Sequence, residues 1–419
     1  MRRDTTLVVV PDFAEQSTAD QDGVLEAWQL IFDEMYADEP GDRLAGWVDS
    51  TTGEPVGPQD MKNWVQATVE RITPLPHGRV LEIGSGTGLI ARSVLALEDV
   101  ERYVATDVSE SAVQNLRNVL PMSGVVEYRV GDALGITHEL NETFDLVVLN
   151  SVCQYFPSTR YLTEVLAHLA PRMAPGGHVV LGDLRHAGLE PRLAAERARL
   201  HRPDADPAEL DRVAQDILHN VTELALHPGW CERLAQRIPG VTAVDTSPRL
   251  GTAATEMTRF RFDAVLHFGC PTVPAPTATA RDAAALDGPA LDERIRLGVG
   301  PFRFIGVPNA RLVTAPHAVD PGVLRRAAAE SRGTLAVRFA DDSSEGTFDI
   351  AWSPESCSRR CGWTLPRLHA CDAITPALPP RATQRLTAVL TQALHEGLGA
   401  LDPALEILVT DETPAEWRS

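Results

Sequence analysis

The run Val80-Leu81-Glu82-Ile83-Gly84-Ser85-Gly86-Thr87-Gly88-Leu89-Ile90 carries the densest chemical signal in the chain, and Asp107 follows the glycines at about twenty residues. An apolar stretch, a glycine-dense turn and a helix starting at Leu89 together make a cofactor-binding turn. A carboxylate at that remove has the reach to accept ribose hydroxyls. A pyrophosphate cradle of the form GxGxxG would put its third glycine at position 89. That position is Leu, and the glycines alternate as GxGxG. Alternating glycines let the backbone come close to a cofactor that carries no phosphate. The chemistry implied is methyl transfer, not hydride transfer.

This spacing is typical of enzymes that use S-adenosylmethionine (SAM) and release S-adenosylhomocysteine, and each neighbouring residue type has a job toward such a cofactor. Glu82 enters the turn where a carboxylate can meet the ammonium of the methionine moiety, directly or through water. Gly84, Gly86 and Gly88 remove the Cβ atoms that would block approach. Asp107, followed by Val108, can accept both ribose hydroxyls. Asp132, followed by Ala133, can accept the adenine amino group, and Asn150 and Ser151 lie against the methyl donor. The rings of Tyr36, Trp47 and Tyr155 can shelter a sulfonium by cation–π contact.

Positioning these residues takes a sheet. Five strands are expected, at 80–83, 102–105, 125–130, 144–149 and 178–182, with helical stretches between them. Gly124 precedes the third, and Pro175-Gly176-Gly177 reads as a turn before the fifth. Such alternation implies a parallel α/β sheet of Rossmann-like type, with ligands at the carboxyl ends of its strands. Gly84, Asp107, Asp132, Asn150 and Asp183 all fall at those ends. Two further strands, at 241–250 and 259–268, are expected to extend the sheet as an antiparallel hairpin. In the second, Phe260, Phe262, Ala264 and Leu266 alternate with Arg261, Asp263 and His267, which reads as one wet face.

The expected organisation is an N-terminal helical lid over 1–75, a methyltransferase core over 76–268 with a helical insertion at 189–234, a Pro/Ala/Thr-rich linker over 269–300, and a smaller α/β subdomain over 301–419. Trp28, Phe32 and Tyr36 recur at helical spacing in the lid, and a second helix is expected over 61–72. In the last part, strands are expected at 302–307, 335–339 and 347–352, and a helix over 383–398.

Beyond the class I methyltransferase core, the chain resembles the methyltransferase domains that interrupt adenylation domains of nonribosomal peptide synthetases. The resemblance rests on Gly46-Trp47 with Thr52-Gly53-Glu54-Pro55, the glycine motif, and the run from Asn150 to Ser158. It extends through Gly182-Asp183-Leu184-Arg185, the run from Glu256 to Asp263, and Gly306-Val307-Pro308-Asn309-Ala310-Arg311-Leu312. It implies N-methylation of an α-amino group, often on an aminoacyl thioester held by a carrier protein. The residue chemistry agrees with that implication, because an amine needs alignment more than a strong base. Asn150 offers a carbonyl oxygen to an N–H, Gln154 and Tyr155 orient, and Glu54, in a loop that would lid the site, and Asp183 can accept from the amine or take its proton. The segment 374–409 faintly echoes an adenylation tail but lacks its lysine motif. The chain therefore reads as a freestanding relative, and a free acceptor, including an O, S or C nucleophile, stays open beside a tethered amine. A decayed synthetase domain acting as a docking scaffold is the non-enzyme alternative.

A formal net charge of -20 over 419 residues argues against a nucleic-acid partner, which needs a basic face. The run from Leu7 to Val10 is too short for a signal or a membrane span, so a cytoplasmic location is expected. The six cysteines show no disulfide framework. Cys357, Cys361, His369 and Cys371 have ligand chemistry, but Cys-x3-Cys is not the usual zinc knuckle. No metal is expected, and these read as reduced thiols.

Overall fold

The computed structural model describes residues 6–9, 18–38, 44, 46–120, 124–249, 251, 254–270, 273–274, 280–282, 288–315, 317–331, 333–340, 345–354, 363–364 and 406–409. The helix expected at 383–398 and the group Cys357, Cys361, His369 and Cys371 lie outside the described residues.

Two helices precede the sheet, α1 (Thr18–Asp38) and α2 (Pro58–Ile72), the second opened by a proline in its first turn where a missing N–H costs nothing. The core then alternates as β1 (Arg79–Ile83), α3 (Leu89–Val94), β2 (Arg102–Asp107), α4 (Glu110–Val119), β3 (Val126–Val130), α5 (Ala133–Glu139), β4 (Phe144–Asn150), α6 (Thr159–Leu169) and β5 (Met173–His186). Three helices follow, α7 (Glu190–His201), α8 (Pro207–His219) and α9 (Pro228–Ala235), then β6 (Val241–Pro248) and β7 (Arg261–Phe268).

The sheet runs β3-β2-β1-β4-β5-β7-β6. The first five strands are parallel, and β7 and β6 complete the sheet antiparallel, as the hairpin reading expected. Chain order reverses on the two sides of β1, so the crevice between the ends of β1 and β4 is the topological switch point where such sheets take ligands. Alternate strand residues feed two cores. Leu81, Val147 and Leu149 join one, while Val80, Leu146 and Val148 join the other.

Two readings of the sheet need correction. The turn expected at Pro175-Gly176-Gly177 is absorbed into β5, which spans 14 residues and shifts register against β4 between Phe144 and Leu146. Asp183 is consequently not at the end of β5. It sits at a second irregularity, between Leu181 and Leu184, where the ladder to β7 slips. The wet face of β7 is also absent. Arg261, Asp263 and His267 are buried or nearly so, because cations and carboxylates of neighbouring elements pair with them.

Beyond β7, residues 288–296 form helix α10 (Gly288–Arg296), within the stretch read as linker. Its Leu291 and Ile295 enter a separate core with β8 (Phe302–Val307), α11 (Pro321–Glu330), β9 (Thr334–Phe339) and β10 (Phe348–Ser353). These strands form a four-stranded sheet with Ala280–Asp282, in which β9 and β10 are an antiparallel pair. Phe339 packs edge-on against His186 and Phe262, seating this piece on the main sheet. No helix among the described residues is long and apolar enough to cross a membrane.

Candidate active site

The glycine turn leaves β1 with Gly84, Gly86 and Gly88 all in left-handed backbone, at φ of 75, 51 and 78°. Only glycine adopts this without strain, and space demands it as well. A Cβ on Gly84 would lie 2.2 Å from a methyl of Val152, and one on Gly86 would lie 3.1 Å from the Tyr36 hydroxyl. The α1 helix thus closes over the turn through Tyr36. Its position is latched twice, by Asp33 accepting from the Ser109 hydroxyl at 2.6 Å and by Asn115 donating to the Tyr36 carbonyl at 3.0 Å. Burial, then the nearby Asp107 charge, raises the Tyr36 pKa, so the phenol stays neutral.

Two buried carboxylates flank the turn. Glu82 is 2 % exposed and accepts from the Tyr103 hydroxyl at 2.7 Å. Burial pushes its pKa up to about 7, and no cation among the described residues offsets that cost. Asp107, the last residue of β2, accepts from the backbone N–H of Gly86 at 2.8 Å and of Ser109 at 3.0 Å. Burial raises its pKa to about 6, although these bonds and one from the Val108 N–H pull it down. Asp132 caps α5. Its Oδ1 accepts from the N–H of Leu134 and Gly135 and from the Tyr161 hydroxyl, so an adenine amino group would have to meet Oδ2. Ala133 is the first residue of that helix and is buried.

The carboxyl end of β4 carries the acceptor-side groups. Among the described residues, Ser151 and Asp183 are the non-glycine positions with left-handed backbone, at φ of 59 and 61°, and the Ser151 hydroxyl donates to Asp183 at 2.9 Å. Strain of this kind, held by side-chain bonds, marks sites where geometry is imposed. Gln154 donates its amide to the Ser151 oxygen at 3.0 Å, which leaves its Oε1 buried without a partner. Asn150 differs from the sequence expectation. Its Oδ1 faces the Thr68 hydroxyl of α2 at 3.5 Å, and its Nδ2 is the buried atom without a partner. Tyr155 stands in an aromatic cluster with Trp28 at 4.6 Å and Phe32 at 5.0 Å between ring centres, and burial raises its pKa to about 12.

Asp183 is held by two arginines that sequence reasoning did not assign to the site. Arg261 reaches it at 2.9 Å and Arg249 at 3.5 Å. Burial alone would raise the Asp183 pKa, but these guanidiniums outweigh it and hold the carboxyl below its ordinary range. Arg249 also pairs with Asp263 at 3.0 Å and donates to Thr68 at 2.8 Å, and Asp263 accepts from Arg71 at 3.0 Å. Arg311, in the Gly306–Leu312 run, donates to the Arg249 carbonyl at 2.7 Å and so fixes the chain behind the network. A shallow cleft beside the network is lined by Asp60, Asn63, Trp64, Arg249 and Met257.

The loop that carries Glu54 is tied to the same network. The Ser50 N–H donates to Glu256 at 2.7 Å, and Glu256 pairs with Arg261 at 3.3 Å. Glu54 itself is exposed, with local bonds to Asp49 and Thr52. Trp47 lies edge-on to Trp64 of α2 at 4.5 Å and packs against the core that α2 feeds. The structure therefore gathers Tyr36, Glu82, the three glycines, Asp107, Asn150, Ser151, Gln154, Tyr155 and Asp183 around the switch point, and Asp132 beside it. Glu54 and Trp47 stand apart from that group. Arg249 and Arg261 were missed because a buried charge reads like a solvated one in sequence, and Thr68 and Asp33 because their partners lie far away along the chain. The one available signal was the Glu256–Asp263 run within the family resemblance.

These features fit SAM. The Glu82 carboxylate suits an ammonium, the Asp107 oxygens suit two ribose hydroxyls, and the glycine turn presents its backbone without Cβ atoms. A family model described as Methyltransferase domain matches residues 81–179. The chain is 35% identical over 317 residues, 73% of its length, to the probable non-canonical nonribosomal peptide synthetase CymA of Salinispora arenicola. It is 29% identical over 409 residues, 85% of its length, to chondramide synthase cmdD of Chondromyces crocatus. It spans only 4% and 10% of the lengths of these relatives. Among solved structures it is similar to the N-methyltransferase NodS of Bradyrhizobium japonicum, with 16% identity, a TM-score of 0.36, and coverage of 57% of this chain and 97% of that one. Fold, site and family match define a class I SAM-dependent methyltransferase with SAM as its cofactor. Within that class, it resembles the methyltransferase domains embedded in nonribosomal peptide synthetases.

Proposed function

We propose that the chain N-methylates an α-amino carbonyl compound of peptide-like natural-product biosynthesis, either an amino acid or an aminoacyl group tethered to a carrier protein. The observation that carries the reading is the pair of unpartnered buried atoms at the carboxyl end of β4, Gln154 Oε1 and Asn150 Nδ2. One accepts a hydrogen bond and the other donates one. An α-amino carbonyl group presents the complement, an N–H and a carbonyl oxygen, at closely spaced atoms. Bound SAM supplies an electrophilic methyl group on a sulfonium. Glu82, Asp107 and Asp132 hold it, and Tyr36 covers the turn.

The chain's own residues then position the acceptor. Gln154 Oε1 takes the amine N–H and directs the lone pair, Asn150 Nδ2 holds the carbonyl oxygen, and Ser151 fixes Gln154 by accepting from its amide. Asp183 steadies Ser151 and stays ionised, so it orients rather than takes a proton. Trp28, Phe32 and Tyr155 shield the site from water. Ionisation favours nitrogen over oxygen. In the group Asn150, Ser151, Gln154, Tyr155 and Asp183, no base titrates near neutrality, whereas a hydroxyl acceptor needs one and a neutral amine does not. The similarity to CymA, a probable non-canonical nonribosomal peptide synthetase, supports the substrate class.

The test is a methyl-transfer assay on matched acceptors: amino acids, their pantetheine thioesters, and the corresponding α-hydroxy compounds. Methylation of the amino compounds alone is expected. Turnover of the hydroxy compounds at equal or higher rate would replace this reading with O-methylation, and absence of SAM binding would leave a scaffold.

A further inference from the structure

A cluster of ligand-type side chains lies at the end of the sheet opposite the methyl-transfer site. His178, His267 and Cys270 each offer one ligand atom, all within 4.8 Å of one another, and the three residues are 0, 3 and 4 % exposed. We propose that His178, His267 and Cys270 form a structural site for a divalent cation of borderline softness, zinc being the best match.

Three features of the backbone build the cluster. His178 and His267 are directly paired residues on the antiparallel strands β5 and β7, so their side chains leave the same face of the sheet as neighbours. Cys270 follows His267 by three positions, and Gly269 between them turns the chain with φ of 62°. A Cβ on Gly269 would come within 3.6 Å of the Gly176 backbone nitrogen, which places this turn beside the start of the regular part of β5. The two strands and the turn thus converge their ligand atoms.

The surroundings of His267 fit metal ligation. Its Nε2 lies 2.9 Å from a carboxylate oxygen of Asp245 on β6, and its Nδ1, buried without a hydrogen-bond partner, remains as the nitrogen that can ligate. A carboxylate behind a ligating imidazole is the usual support of a zinc site. Two imidazole nitrogens and a thiolate select zinc or a similar ion over magnesium or calcium, which take oxygen. A fourth ligand would be water or another group of the chain. On binding, the Cys270 thiol proton leaves to solvent and a metal–sulfur bond forms, with no change of oxidation state.

The place of the site argues for a structural role. His178 precedes Gly182, the residue paired with Asn150, by four positions, or roughly 13 Å along the strand. The metal would pin the turn after β7 to β5 at the end of the sheet opposite the cofactor.

The experiment uses the purified full chain. Elemental analysis should find about one zinc per chain, and cobalt added to chelator-treated protein should give the visible bands of a tetrahedral site with a sulfur-to-metal charge-transfer band. Cys270→Ala should abolish that band and make the melting temperature independent of zinc. Asp245→Asn, a milder change, should keep the band and weaken zinc binding roughly tenfold to a hundredfold. Protein with no metal, no charge-transfer band on cobalt titration and no thermal response to zinc would overturn the proposal. So would a band that survives in both Cys270→Ala and His178→Ala, since the thiolate would then lie elsewhere. If Cys270→Ala fails to fold, the native cobalt spectrum and Asp245→Asn still decide.

Discussion

Glu82→Gln is the sharpest test of the cofactor site, because one substitution should stabilise the protein and weaken its ligand binding. Burial lifts the Glu82 pKa from its ordinary 4.5 to about 7. A carboxyl whose folded pKa is raised binds more protons folded than unfolded between those values, so its ionisation costs stability as pH rises through that window. The cost is absent well below pH 4.5 and complete above pH 7. Integrated between pH 5.5 and 8.5, the cost grows by about 2 kcal/mol, at roughly 1.4 kcal/mol per pKa unit. Gln keeps an acceptor for the Tyr103 hydroxyl but cannot ionise. The stability advantage of Glu82→Gln over the native chain should therefore widen by about 2 kcal/mol over that range. Any constant penalty from the new amide cancels in this difference. In melting temperature it corresponds to roughly 4–8 °C for a unit of this size.

The same change removes the charge that meets the ammonium, so S-adenosylhomocysteine should bind about ten- to a hundredfold more weakly at pH 8 by calorimetry. Native affinity should itself fall about tenfold per unit as pH drops below 7. A stability difference that stays flat with pH, or affinity unchanged by the substitution, would refute the placement of Glu82 as a buried, uncompensated partner of the cofactor.

Asp107→Ala should reduce S-adenosylhomocysteine affinity by at least about a hundredfold, since it removes charged acceptors and leaves the Gly86 and Ser109 N–H groups without theirs; a calorimetric change below threefold would count against the site. Asn150→Ala should lower kcat at least tenfold while cofactor affinity moves less than threefold, and retained turnover would end the acceptor role of Nδ2. Arg249→Met, which strips a buried cation from Asp183 and Asp263, should cost about 3–5 kcal/mol in denaturant unfolding, whereas a loss under 1 kcal/mol would show that the network does not depend on it.

The sequence by itself determined the cofactor half of this protein. Alternating glycines, a carboxylate entering the turn and one ending the next strand are local facts, because a strand–turn–helix unit fixes its own backbone and the ligand follows the backbone. The alternation of strands and helices and the antiparallel hairpin followed from the same periodicity, and Leu89 does begin α3.

What local pattern could not decide was which charges are buried and against what. Arg261 and Asp263 alternate with apolar residues as a solvated face would, yet the fold covers them, and Arg71, Arg249 and Asp183 meet them from other elements. The Asn150 amide likewise faces Thr68, 82 positions away in sequence. The His178–His267–Cys270 cluster arises only when β5 and β7 pair, whereas the sequence had drawn attention to other cysteines. Pairing between distant segments is a property of packing, and the energy of a buried charge depends on the partner that packing brings to it.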